Sequence, residues 1–333
     1  MLAVAVRPEN PELMWAAYYA SGGVITSRDG GQTWAQAAEG LAGQPVFDLL
    51  ITRAAGGEPP RVWAATRAGL FWRDETGKRW QPVAEGLPPL AVFALATDAN
   101  GRLYLGLDGA GIYAETDSES GWESLTLAEP LVSASVLALT VSPDGRQFYI
   151  GTSGQGLWAS RDAGRTWTSA YPGEYVANVA FNPADPTAAV ASLRDRLVQT
   201  LDGGQTWRTL AVPWDREWTV SLLWLADGSL KAGTARGRFY QSRDNGDSWS
   251  GGTTDLPPHG VLDLAGAGAT RLLAGSWVGL YDSRDGGQSW QALTPMDGSP
   301  NNETLLATEQ GLLLGGRTGL YRWATEEKRW VVL

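Results

Sequence analysis

The sequence predicts an all-β fold: a single closed β-propeller spanning residues 1–333, built from eight four-stranded blades, with seven blades as the alternative. Three observations carry this expectation. A motif ending in tryptophan recurs along the chain, strand-length segments of alternating hydrophobicity fill the intervals, and no segment sustains a 3.6-residue period.

The motif has five clear copies: SRDGGQTW (27–34), SRDAGRTW (160–167), TLDGGQTW (200–207), SRDNGDSW (242–249) and SRDGGQSW (283–290). Three degenerate copies end at Trp80, Trp122 and Trp330, so consecutive tryptophans lie 40 to 46 residues apart. The corresponding blades fall near residues 1–42, 43–88, 89–130, 131–174, 175–213, 214–256, 257–298 and 299–333. Each unit opens with an alternating segment such as VFALATDAN (92–100). A second run ends in small residues, as in RLYLGLD (102–108), and a third follows a glycine, as in QGLWASRD (155–162). The fourth starts at the motif tryptophan, as in TWAQAAEGL (33–41). Four period-2 segments separated by turn residues form an antiparallel meander. One such meander cannot bury both faces, whereas a radial ring of them can.

Composition agrees. Hydrophobic residues make up 43% of the chain, enough for a core, and 42 glycines with 17 tryptophans suit tight turns between short aromatic strands. A formal charge of −10 argues against nucleic acid as the main partner. The absence of cysteine removes disulfides and thiolate ligands, and the single histidine, His259, excludes a multi-histidine metal site within one chain. No cofactor or metal is therefore expected. No run of 18 apolar residues occurs, so membrane insertion is not expected. The start, MLAVAVRPENPELMW, is too weakly apolar for a signal peptide. That places the protein in the cytoplasm if Met1 is the native start, and outside it if a leader has been removed. A monomer is the default expectation.

Within the motif each position has a structural task. The aspartates (Asp29, Asp162, Asp202, Asp244, Asp285) can accept backbone N–H bonds inside their own turn, and the following glycine suits a positive φ. The tryptophans (Trp34, Trp167, Trp207, Trp249, Trp290) can lie between blades, each burial of about 200 Å² stabilising a junction by at most roughly 5 kcal/mol. A calcium loop is the competing assignment, but one or two carboxylates per turn fall short of the six to eight oxygens calcium requires.

These copies resemble the Asp-box, or bacterial neuraminidase repeat. The resemblance implies that the boxes are structural and lie on the rim, away from the ligand face. Relatives by this repeat include sialidases, tandem-propeller endoglucanases, sorting receptors and photosystem II assembly factors. The phrasing LALTVSPDG (137–145) followed by FYIGTSGQGLWASRDAGRTW (148–167) is most similar to the photosystem II assembly and stability factors. That similarity implies a partner-binding protein with an Arg-rich surface. A sialidase would need an arginine triad, a tyrosine nucleophile and an Arg-Ile-Pro-type segment; RVWAATR (61–67) is the nearest stretch and does not supply them. No catalytic residue is assigned, and a glycoside hydrolase is the enzyme class to consider.

Strand order places the loops between second and third strands, and the inter-blade loops, on the face opposite the motif turns. The former hold Arg67, Arg194, Arg196, Arg236, Arg238 and Arg317; the latter hold YPGEY (171–175), WDREW (214–218), His259 and MDGSPNN (296–302). Arginine forks bind carboxylates and stack on aromatics. The alternative for each is a local ion pair, for example with Asp195. Trp214, Asp215 and Trp218 form the second candidate site, either an aromatic platform or a loop folded over the channel. The expected function is a non-catalytic scaffold binding a protein, peptide or acidic ligand on this face; the alternative is a propeller that binds or hydrolyses carbohydrate.

Overall fold

The structure is a computed structural model. It describes the chain outside residues 1, 8–9, 19–22, 42, 53–59, 76, 117–120, 126–128, 215–216, 254, 257, 259, 268–269, 277–278, 294–301, 309–310, 317–318, 325–328 and 333, and after residue 301 it describes backbone alone. Eight four-stranded antiparallel sheets form, each with its strands in chain order, and the described residues contain no α-helix, only a single 3₁₀ turn at Leu131–Ser133. No helix among them is long and apolar enough to cross a membrane.

Seven of these sheets make the propeller. They occupy residues 2–36, 46–82, 92–124, 136–170, 176–209, 219–253 and 261–292, hereafter blades 1 to 7. Each inner strand lies against the inner strand of the next blade, and that of blade 7 (Val261–Ala267) lies against that of blade 1 (Leu2–Arg7), which closes the ring. The expectation of eight blades is thereby corrected. Residues 302–332 fold as the predicted meander, but beside the third and fourth strands of blade 1 (Gly23–Ser27 and Ala35–Gln36) rather than between blades 7 and 1. Repeat spacing counts meanders; ring size is decided by which two blades meet.

Packing is organised by junction. Six apolar clusters among the described residues each straddle two neighbouring blades, such as Trp15 and Trp80 across blades 1 and 2, or Phe239 and Trp290 across blades 6 and 7. The first of these junctions also holds a buried arginine. Arg73 stacks on Trp15 at 4.9 Å and on Trp80 at 5.8 Å, and donates to the carbonyls of Ala37 and Gly77.

The five motif turns share one hydrogen-bond network. In the first, the Ser27 hydroxyl donates to the Asp29 carboxylate and accepts from the Gly31 amide, while Asp29 also accepts from the amide and hydroxyl of Thr33. The same four bonds recur around Asp162, Asp202, Asp244 and Asp285. The carboxylates thus hold their own turns, and no group of three metal-ligating side chains occurs among the described residues. The motif glycine is required twice over. Gly287 has φ +95°, and a Cβ there would come within 2.1 Å of Phe239 on blade 6. Gly31 has φ +89°, and a Cβ would meet Leu293, just beyond the last strand of blade 7, at 2.9 Å.

A second contact latches four of the five turns to the blade before them. Gln147, Gln199 and Lys231 reach across to the carbonyls of Gly203, Asn245 and Gly286. At the closing junction Arg271 of blade 7 donates to Gly30 and Pro11 of blade 1.

Two buried aspartates bridge inner strands. Asp48 accepts from the amides of Leu49 and, on the next blade, Leu95, both at 2.8 Å. Asp263 accepts from Leu264 at 2.9 Å and from Val4 of blade 1 at 2.8 Å. Burial outweighs these bonds. It raises Asp48 to about 8, with the Asp263 charge adding to the effect, and Asp263 to about 7. The motif aspartates shift the other way. Hydrogen bonds from Ser248 and Ser289 lower Asp244 and Asp285 to about 2, and Asp29, Asp162 and Asp202 are lowered against an opposing burial effect.

These directions set a pH profile. A raised carboxyl favours the protonated folded state, so its contribution is full below about 4 and is lost as pH rises through 7 to 8. A lowered carboxyl contributes above its ordinary value of 3.8 and loses that contribution as pH falls towards 2. Thermal melts from pH 2 to 9 should therefore show greatest stability near pH 4, with a progressive decline towards pH 8. Asp48→Asn with Asp263→Asn should flatten the alkaline decline and leave the acid limb in place. A second expectation concerns ring size: a chain ending at residue 298 should still melt cooperatively, within about 5 °C of the full-length protein, whereas removal of an integral blade would abolish the transition.

Candidate functional site

Strand register fixes the face opposite the motif turns. Inner strands start there: Val46 pairs with Thr66, Val176 with Leu193 and Thr219 with Thr234, each partner lying one or two residues before an arginine of the predicted set. Immediately inside this edge, blades 2 to 7 each have a β-bulge that leaves one inner-strand residue outside the pairing. These residues are Phe47, Phe93, Leu137, Ala177, Val220 and Leu262. A bulge turns its extra residue out of the pleat, and all six line the central channel. Each is half-buried, and Phe47 meets Phe93 edge to face at 5.0 Å. Together with Asp48, Asn178 and Asp263 they surround a cavity of about 130 Å³.

The arginines share this face with the mouth and stand in different environments. Arg194 is exposed and lies 5.3 Å over the ring of Trp218, which is itself 43% exposed. On the next blade, the Arg236 side chain is 71% exposed, with its Nε 3.8 Å from the buried Glu217 carboxylate. Arg238 is exposed. Arg196 is already engaged: it pairs with Glu174 at 2.9 Å and Asp195 at 2.6 Å and sits 5.5 Å from the Tyr171 ring. For Arg196 the local ion-pair alternative therefore describes its state. Arg67 is exposed on blade 2, apart from the group on blades 5 and 6. Arg317, Asp215, His259 and residues 296–301 lie outside the described residues, and Asn302 is described in backbone alone.

The two tryptophans of WDREW separate. Trp214 is buried against Tyr240 at 4.3 Å and Trp249 at 5.2 Å, so it is core; Trp218 faces solvent. Tyr171 of YPGEY has a φ of +51°, a conformation non-glycine residues rarely adopt, and Tyr175 is exposed.

Asp48 and Asp263 are the inward-facing carboxylates whose protonation is most perturbed towards neutrality, the usual mark of a catalytic pair. Their geometry argues for a structural role, because each carboxylate oxygen already accepts a backbone amide. Neither they nor the bulge residues were singled out from sequence. The signal was present: VFDL, VFAL, VLAL, VANV, TVSL and VLDL open the six inner strands in register. The second position is the bulge and the third is the inter-blade bridge, where Ser221 also acts by donating to Val261 O.

No family model matches this chain, and no curated protein does. Solved structures do match, at the level of fold. YCF48 from Cyanidioschyzon merolae aligns with a TM-score of 0.63 at 15% identity, covering 86% of this chain and 93% of that one. A chain of the mitotic checkpoint complex aligns with a TM-score of 0.61 at 13% identity, over 79% of this chain and 84% of that one. The GH74 enzyme of Niastella koreensis aligns with a TM-score of 0.50 at 13% identity, over 99% of this chain and 77% of that one. What the chain shares with all of them is the β-propeller fold.

Proposed function

We propose that this protein is a non-catalytic scaffold that binds an acidic segment of a partner protein on the face bearing Arg194, Trp218, Arg236 and Arg238. The observation that carries this is the exposed Arg194–Trp218 stack, flanked on the adjacent blade by two further exposed arginines. Stacking holds a guanidinium in place while leaving its N–H fork available, which lowers the entropy lost on binding a carboxylate. Arginine and tryptophan are also the residues that most often dominate binding energy at interfaces. In a chain of net charge −10, a cationic ledge of this kind steers and orients acidic partners. The fold is compatible with such a role, since a similar propeller occurs within the mitotic checkpoint complex.

The test is an interaction measured with and without the ledge. Arg194→Glu combined with Arg236→Glu should weaken capture of the partner from native extract by about tenfold or more. Raising salt from about 0.05 to 0.5 M should weaken wild-type capture in the same sense. Arg194 is exposed, so Arg194→Glu alone should keep the melting temperature within about 2 °C and still weaken capture, whereas Arg236→Glu also strips the buried Glu217 carboxylate of its counter-charge and should lower stability. Capture that is indifferent to both the charge reversal and salt would contradict the proposal.

A further inference from the structure

Apart from the Phe47–Phe93 contact, the bulge residues stand outside the apolar clusters of the junctions, and their ring opens on the arginine-bearing face. Its walls are Phe47, Phe93, Leu137, Ala177, Val220 and Leu262, all half-buried. A fold that needed only a closed channel could fill it with well-packed side chains, as small barrels do. Here a space of about 130 Å³ persists between the walls. Six apolar side chains project into this space beside Asp48, Asn178 and Asp263, and it is large enough for one side chain. The carboxylates at the mouth, Asp48 and Asp263, have their oxygens occupied by backbone amides and lie beside apolar walls.

We propose that this mouth seats one large aliphatic or aromatic side chain of the partner, projecting from a segment whose flanking carboxylates engage the surrounding arginines. The proposal rests on the assignment of this face as the protein-binding surface and specifies its ligand: an acidic segment with an apolar anchor. Charge complementarity selects the flanks, because Arg194, Arg236 and Arg238 stand exposed on blades 5 and 6 and Arg67 on blade 2. Wall chemistry selects the anchor. A cationic anchor would be the choice of a mouth with available carboxylate oxygens, but it would have to pass the arginines and compete with the amides already bound to Asp48 and Asp263.

Fluorescence polarisation with a labelled peptide series, Glu-Glu-X-Glu-Glu with X as Gly, Leu, Phe or Lys, tests this directly. The Leu or Phe peptide should bind about tenfold more tightly than the Gly peptide, and the Lys peptide no more tightly than Gly. Ala177→Phe, which narrows the mouth, should bring the Leu-to-Gly ratio close to one. Leu262→Ala, which widens it, should favour Phe over Leu, and it serves as an independent test if Ala177→Phe fails to fold. Equal binding of Leu and Gly peptides, both lost on Arg194→Glu with Arg236→Glu, would overturn the anchor and leave the charged surface standing. Preference for Lys would also overturn the anchor. No saturable binding by any peptide would overturn the anchor and the acidic-segment assignment together.

Discussion

Blade 7 must meet blade 1 through contacts of the kind that join interior pairs, although Asp263 and Val4 lie 259 residues apart in the chain. It does so with three separate devices. The Asp263 carboxylate takes the Val4 amide, as Asp48 takes that of Leu95; Arg271 holds the Gly30 carbonyl, as Lys231 holds that of Gly286; and Leu293 packs where Gly31 leaves room, as Phe239 does against Gly287. Because the same interactions recur at the interior junctions, the closure is a true junction of the ring. Everything else follows from it, including the channel diameter, the position of the bulge residues at its mouth, and the placement of residues 302–332 outside the circle.

The acidic residues divide by environment into two sets with opposite consequences. On the rim, the motif aspartates are exposed or half-buried, saturated by local hydroxyls and amides, and held ionised. In the channel, Asp48 and Asp263 are buried, shared between blades, and held towards neutrality. The same residue type therefore shapes turns at the edge and joins strands at the centre. In both sets the carboxylate oxygens are already taken up by hydrogen bonds within the fold.

Much of this was readable in the amino-acid order, and the remainder was not for definite reasons. Period-2 segments and the recurring Trp34, Trp167, Trp207, Trp249 and Trp290 identify the meanders, because local alternation and turn chemistry are encoded locally. Ring size is not encoded in that way. Residues 299–333 carry the same repeat grammar as the blades, and only the pairing of Asp263 with Val4 across the whole chain reveals that seven meanders suffice. The arginine face followed from strand order alone. Which arginines remain available did not, since the engagement of Arg196 by Glu174 depends on a neighbouring loop. Trp214 and Trp218 look equivalent four residues apart, yet one packs on Tyr240 and the other stays in solvent. The bulge residues escaped notice because alternation assigns them to a strand face, whereas an extra residue in the register turns them into the channel.

Amide hydrogen exchange at Val4 tests the seven-bladed closure most directly. With Asp263 accepting its N–H, Val4 should exchange slowly in the native protein. Asp263→Ala should accelerate exchange at Val4 while leaving Leu95 protected, and Asp48→Ala should do the reverse. If Val4 exchanges at the same rate with and without the Asp263 carboxylate, something other than blade 7 adjoins blade 1, and the seven-bladed ring is wrong.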